Sequence, residues 1–188
     1  MSSKVAIVTG ASQGIGRSTA IRLARDFASI VVVARNREIL GQTADEVRKA
    51  GAEALPIDLD LSDPQAAQKV VDQTLSAFGQ IDALLNVAGA VPQIDVFEMS
   101  DDQWDRGFAL KLPGPVMTGR RQSYLDHWAP LHNMTVEEAT ARFPVEAGIA
   151  RYGTPEEIAE LMAFIVSPAA HWMTGSTLRM DGGEVKSI

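Results

Sequence analysis

Three glycines, Gly10, Gly14 and Gly16, are set close together in the stretch "TGASQGIG". They follow the apolar run Val5 to Val8 and precede a stretch with helical spacing, so they form a strand-to-helix turn. A turn without Cβ atoms lets an anion come close to the free N–H groups that open the next helix. The anion that suits such a turn is the pyrophosphate of a dinucleotide. The order G-x3-G-x-G departs from the general G-x-G-x-x-G fingerprint, and the plain alternative is a Gly-rich connection with no ligand. The strand-turn-helix context is what favours the ligand.

A second chemical choice falls at the end of "IVVVA", where Ala34 is followed by Arg35. A carboxylate at the tip of a second strand would bond the ribose hydroxyls and repel a 2′-phosphate, whereas an arginine attracts that phosphate. The sequence therefore favours NADP(H), with NAD(H) possible. The competing reading of Arg35 is a solvated loop residue. His127 and His132, with Asp126, could suggest a metal or a base, but their spacing matches no ligand motif, and no metal site is expected.

The elements that must position these residues are legible in order. Ile15, Leu23, Ala24 and Phe27 mark a first helical face after the glycine turn. Ile30 to Ala34 is β-branched and continuous, as a strand buried on both faces should be. Ile39, Leu40, Thr43, Ala44 and Val47 predict a second helix ending near Gly51, and Ala54 to Ile57 a third strand. Ser62, with Gln65 three residues on, predicts the cap of a third helix, with Val70, Val71, Thr74, Leu75 and Phe78 inward and Gly79 closing it. "IDALLNVAG" reads as a fourth buried strand. Ser100 and Gln103 open a further helix carrying Trp104, Phe108 and Leu112, which Pro113 stops. A less regular region with Tyr124, Trp128, Met134 and Phe143 follows. "TPEEIAELMAFIV" is a helix capped by Thr154, with Pro155 in its first turn and Glu157 completing a capping box. "STLRM" reads as a last short strand before "DGG". Such alternation calls for an α/β fold, a doubly wound parallel sheet with helices on both faces.

Length and composition bound the rest. The 188 residues suffice for one domain, 1–188, without a linker or an internal repeat. A net charge of −7 disfavours phosphate backbones and anionic lipid surfaces, so neither nucleic acid nor membrane is expected as a partner. The absence of cysteine removes disulfides and thiolate chemistry and fits a reducing compartment. With no apolar run of signal or membrane-spanning length, the expectation is a cytoplasmic protein.

"TGASQGIG", "NVAG", "PGPVMT" and "MDGG", in that order, resemble the short-chain dehydrogenase/reductase family over nearly the whole chain, as do "LARDFASIVVVARNREIL" and "RYGTPEEIAELMAFIVSPAAHWMTG". The resemblance implies a Rossmann-type fold and hydride transfer between a nicotinamide cofactor and a small carbonyl or alcohol substrate. It implies that Ser12 and Ile15 line the cofactor site, beside Gln13, where some NADP-preferring relatives carry a basic residue. It places Asp60 and Leu61 at the adenine, Asn86, Ala88 and Gly89 beside the cofactor, and Pro113, Gly114, Val116 and Thr118 at the nicotinamide end. Residues from about 119 to 148 match a substrate lid, and the helix with Trp104 and Phe108 matches the interface of a homo-oligomer. Likeness to 3-oxoacyl-carrier-protein reductases is of the general family kind, and the substrate is not legible.

One part of the family pattern is missing. Catalysis there rests on a Ser and a Tyr-x-x-x-Lys, in which the Tyr exchanges a proton with the substrate oxygen, the Lys lowers its pKa and the Ser orients the carbonyl. The chain has two tyrosines, and the residues four positions beyond Tyr124 and Tyr152 are Trp128 and Glu156. No catalytic residue can be assigned. In "GFALKLPGPVMTG" the helix after the fourth strand runs straight into the loop after the sixth, with a seam at 112–113. The fifth and sixth strands and the helix between them are missing, on the order of 60–80 residues. Lys111, where the family often has Asn, reads as a solvated helix lysine. If Leu112 and Pro113 are bonded, the fourth strand becomes an open apolar edge. "STLRM" then loses its neighbour, must slide in beside the fourth strand or pair with another chain, and displaces the nicotinamide loop. The other account is a natural protein that carries the segment. A working oxidoreductase and an inactive dinucleotide-binding or interaction module are the two functions that follow.

Overall fold

The computed structural model describes residues 3–89 and 115–184. The seam at 112–113, Pro113, Gly114, Lys111, and the helix expected around Trp104 and Phe108 lie outside the described residues. Four strands, β1 (Val5–Thr9), β2 (Ser29–Ala34), β3 (Glu53–Asp58) and β4 (Ala83–Leu85), form one parallel sheet in the order β3-β2-β1-β4. The helices are α1 (Gly14–Leu23), α2 (Arg37–Lys49), α3 (Ala66–Phe78), α4 (Gly119–Leu131), α5 (Val136–Ala147) and α6 (Pro155–Ile165), followed by a single 3₁₀ turn at Pro168–Ala170.

Side chains of a strand alternate between faces, and β1 and β2 are buried throughout, so each supplies both sides of the core. Ala6, Val8, Ile30 and Val32 pack with Leu23, Leu40, Ala44, Val47 and Ala163, which brings α1, α2 and α6 to one face. Val5, Ile7, Val31 and Val33 pack with Ile57 and Val70, which brings α3 to the other. This is the doubly wound Rossmann-type arrangement expected, and all of β1's pairing is parallel. Asn36 caps α2 by accepting from the Ile39 N–H at 3.1 Å, and Gly79 ends α3 in the left-handed region. Thr154 caps α6 in a full capping box with Glu157, as read from the sequence.

Several expectations are corrected. Ser62 does not cap α3: its hydroxyl donates to Asp60 at 2.9 Å, and α3 begins later, after Gln65, which makes no side-chain cap. An aspartate two residues earlier offered the serine a nearer acceptor. Leu75 does not face inward but is 44% exposed, because only Val70 and Thr74, with Ala66, reach the sheet fully. The fourth strand is three residues long rather than nine, and its Leu84 is 57% exposed. Among the described residues β4 pairs with β1 alone, and the face that carries Leu84 is left uncovered, unlike the burial on both faces that its composition suggested. "STLRM" forms no strand, and Leu178 and Met180 are 43% and 44% exposed. The region after Gly119 is regular rather than irregular: α4 and α5 are joined at a turn through His132 and Met134, with Leu125, Ala129 and Ala139 as a small core of their own.

Candidate functional site

The C-terminal ends of β1 and β4 meet at Thr9, whose hydroxyl accepts from the N–H groups of Val87 and Ala88, both at 3.0 Å, and donates to the Leu85 carbonyl at 3.4 Å. This threonine holds the exit of β4 against the glycine turn. Sequence reading passed over it, although a hydroxyl at the end of an apolar strand was the available signal.

The glycines are required by contact. Gly10 has φ +67°, and a Cβ there would lie 2.7 Å from the Ala88 Cα, closer than real atoms approach. A Cβ on Gly16 would overlap the Gly10 carbonyl oxygen. Gly14, at φ +56°, faces Thr118, whose Cγ2 would be 3.4 Å from an added Cβ. The turn is thus pressed between the post-β4 loop and the segment that precedes α4. Ser12 is half-buried, Gln13 exposed at the start of α1, and Ile15 half-buried.

Thr118 reaches Gly14 although the two are far apart in sequence. The segment 115–117 pairs with Gly153: the Gly153 N–H donates to the Pro115 carbonyl at 2.8 Å, and the Met117 N–H to the Gly153 carbonyl at 2.9 Å. Gly153 lies just before α6, and α6 is docked on α1. Ser18 donates to Glu156 at 2.8 Å, and Arg22 to Glu160 at 2.7 Å. The segment is therefore carried by a helix docked on α1, with Val116 beside Gly153 and Thr118 beside Gly14 of the turn. The displacement expected of the nicotinamide loop depends on the seam at 112–113, which lies outside the described residues. Thr118 also caps α4 through the Arg121 N–H, and Arg120 donates to the Gly89 carbonyl at 3.3 Å, joining this segment to the post-β4 loop. Neither arginine was singled out from the sequence.

Arg35 is exposed just beyond the C-terminal end of β2. The Asp60 carboxyl, after β3, is held below the usual carboxylate range, first by the Ser62 N–H and hydroxyl and also by the charge of Arg35, which places Arg35 and Asp60 on one rim. Leu61 is 37% exposed there, an apolar surface on the same rim. Asn86, Ala88 and Gly89 line the exit of β4, with Asn86 and Gly89 exposed. His132 bonds the Trp128 carbonyl at 2.9 Å and stacks on that indole, and Asp126 accepts from Gln122 at 2.9 Å. Among the described residues no group of His, Asp and Glu could hold a metal ion. No helix among them is long and apolar enough to cross a membrane.

A glycine turn at the switch between β1 and β4, opening a helix, defines a dinucleotide-binding α/β protein. Residues 4–127 match the family model described as short chain dehydrogenase, and the chain belongs to that family, whose members are NAD(P)-dependent oxidoreductases of carbonyl and alcohol groups. A second model, described as enoyl-(acyl carrier protein) reductase, matches residues 132–184. The chain is similar to YvaG of Bacillus subtilis, described as an uncharacterized oxidoreductase, at 26% identity over 260 residues, covering 98% of this chain and 97% of the relative. It is 36% identical over 118 residues to versicolorin reductase stcU of Emericella nidulans, covering 62% of this chain and 45% of that one. The structure of L-sorbose reductase from Gluconobacter frateurii, complexed with NADPH and L-sorbose, shares the fold at a TM-score of 0.91 and 23% identity, covering 100% and 98% of the two chains. An alignment of 260 positions to a chain of 188 leaves at least 72 positions, the difference, without a residue of this chain.

Proposed function

We propose that the ends of β1 and β4, the glycine turn and the 115–118 segment border a groove that binds NADP(H), in preference to NAD(H). The observation that carries this reading is the three-sided contact of the turn: Gly10 against Ala88, Gly16 against Gly10, and Gly14 against Thr118. Together they leave backbone N–H groups and no side chain where a pyrophosphate lies. Gly10, Ser12, Gln13, Gly14, Ile15 and Gly16 form the pyrophosphate wall. Asp60 and Leu61 border the adenine, Asn86, Ala88 and Gly89 the middle of the groove, and Val116 and Thr118 the nicotinamide end, with Pro113 and Gly114 assigned to that end by family resemblance. Arg35, next to an Ala34 that offers no carboxylate, takes the 2′-phosphate. The L-sorbose reductase and the actinorhodin polyketide ketoreductase, whose structures were determined with NADPH, support the same cofactor. When bound, the dinucleotide supplies the hydride. Fluorescence titration tests the reading: NADPH binds more tightly than NADH, and Arg35→Ala removes the difference while leaving NADH binding unchanged. Equal affinities for the two in the unaltered chain count against it.

The reaction is carbonyl reduction or alcohol oxidation on a small molecule, by a soluble homo-oligomer of the cytoplasm, with residues from about 119 to 148 as the substrate lid. Its proton-transfer residues are those of a Ser and Tyr-x-x-x-Lys segment between Leu112 and Pro113, present in the natural protein. The alignment positions without a counterpart support a segment of that size. A second reading is favoured by the sequence itself: with neither tyrosine followed by a lysine, a chain in which Leu112 and Pro113 are bonded is an inactive NADPH-binding module. Intact mass separates the two, since the chain as read weighs 20.2 kDa. At that mass, NADPH-dependent turnover of any carbonyl would rule out the inactive module.

A further inference from the structure

Arg121 is placed by the same cap that anchors the candidate nicotinamide segment, its N–H donating to the Thr118 hydroxyl at 3.3 Å. Its guanidinium carbon lies 4.7 Å from the ring centroid of Phe143 and 5.6 Å from those of Tyr124 and Tyr152. Phe143 and Tyr152 are themselves stacked, with centroids 5.2 Å apart, so α4, α5 and the strand-like segment at Gly153 all contribute to one aromatic seat. A guanidinium resting on ring faces keeps its in-plane N–H donors for something else.

Among the described residues nothing takes them. Arg17, Arg22, Arg48, Arg142 and Arg151 each hold a carboxylate, whereas Arg121, like Arg25, Arg35 and Arg37, holds none among the described residues. The hydroxyl of Tyr152, under the same guanidinium, is buried without a hydrogen-bond partner, and the residue is 8% exposed. The Tyr152 hydroxyl is the buried group without a partner here, and the Arg121 guanidinium, half-exposed over the same ring, presents its in-plane donors to solvent and to any anion that enters.

We propose that Arg121, with the Tyr152 hydroxyl as second donor, binds an oxyanion of the substrate, a carboxylate or a phosphate. The oxidoreductase then acts on an anionic carbonyl or alcohol. The assignment rests on the dinucleotide reading, which puts Thr118, and hence Arg121, at the nicotinamide end. The planar fork of arginine matches either oxyanion bidentately, and the rings hold it in place before the anion arrives.

The test is calorimetric titration of the NADPH-saturated chain with malonate and, separately, with inorganic phosphate. Saturable binding in the millimolar range is expected for at least one, and the tighter anion identifies the substrate's group. Arg121→Met should weaken it by roughly tenfold or more, the loss of one charge-assisted pair. Arg121→Lys, which keeps the charge and loses the fork, should retain part of it, and it carries the test if the Met variant does not fold. Tyr152→Phe should weaken the anion and leave the melting temperature unchanged or higher, because it deletes an unsatisfied group. A wild-type chain that binds NADPH but neither anion overturns the proposal, as do Arg121→Met and Arg121→Lys variants that bind both anions as the wild type does. A wild-type chain that binds no NADPH overturns the dinucleotide reading instead, and this proposal with it.

Discussion

The strands β2 and β4 are built from similar residues and treated differently by solvent. β2 lies between β1 and β3, and every one of its side chains is buried under α1, α2 or α3. β4 lies at the edge, keeps three residues in register with β1, and leaves Leu84 57% exposed. Beyond it in sequence, Leu178, Met180 and Trp172 are exposed as well, the last at 91%. Apolar composition alone does not bury a strand; helices packed on its faces do. Yet the segment that ends at Thr118 is also anchored, through its pairing with Gly153 and the bonds of α6 to α1. Anchoring of the 115–118 segment and covering of β4 are thus separable among the described residues.

The largest contrast is expected from truncating one leucine in each region. Leu23 is fully buried, and Leu23→Ala should cost about 2–5 kcal/mol in urea denaturation, as deletions at closed core sites do. Leu84→Ala should stay within about 0.5 kcal/mol, the range of surface changes. A cost at Leu84 close to that at Leu23 would mean that the β4 edge is covered in solution, by a further segment or by another copy.

The next largest effect concerns the turn. Gly16→Ala puts a methyl into the Gly10 carbonyl, and the forced shift should cost about 1–3 kcal/mol and abolish NADPH binding by displacing the turn. Gly41→Ala, at a helical glycine with open space around it, should leave binding intact and raise stability by about 0.4–1 kcal/mol. If both variants bind alike, the contacts around Gly16 do not hold a ligand site.

Legibility in the sequence follows the same divide. β1, α1, β2, α2 and the α6 cap were readable because each is determined by local pattern: continuous β-branched runs, helical spacing, and Thr154 with Glu157. The glycine turn itself was readable because Gly10, Gly14 and Gly16 fall at one strand-helix junction. What was misread depended on neighbours. "IDALLNVAG" looked like a central strand because nothing in its own residues says that one side is open, and "STLRM" looked like a strand without a partner to pair with. Ser62 looked like a cap until Asp60 took its hydroxyl. Arg120 and Arg121 were invisible because their roles depend on Gly89, Phe143 and Tyr152, which only folding brings near.

A smaller effect tests the tie between the two halves. Thr154→Ala removes the cap of α6 and should cost about 1 kcal/mol. If the 115–117 segment is held through Gly153, the same variant should also weaken NADPH by a few fold, whereas Asn36→Ala, a cap of similar cost at α2, should weaken it less. Equal losses of affinity would show that general stability, and not the Gly153 pairing, sets the binding.

The smallest expected effect comes from acid, at the ion pair that closes this connection. Arg151 grips Glu157 with two bonds, at 2.9 and 2.7 Å, and its Nη1 also donates to the Tyr152 carbonyl at 2.8 Å, one residue before the pairing at Gly153. The Arg151 bonds first, and the Thr154 N–H after them, hold the Glu157 carboxyl at about 2, below its ordinary 4.5. The folded form therefore prefers the carboxylate, so the stability it lends is complete above about pH 4.5 and is lost as the pH falls towards 2. Because the pair is exposed, the loss should be small and should shrink further in salt. Glu157→Gln should lower the urea midpoint slightly at neutral pH and then lose less than the wild type on acidification. Other carboxylates titrate in both proteins, so the difference between the two curves isolates this one. Parallel curves would show that the pair does not contribute to folding, and that the 115–118 segment is held by backbone pairing alone.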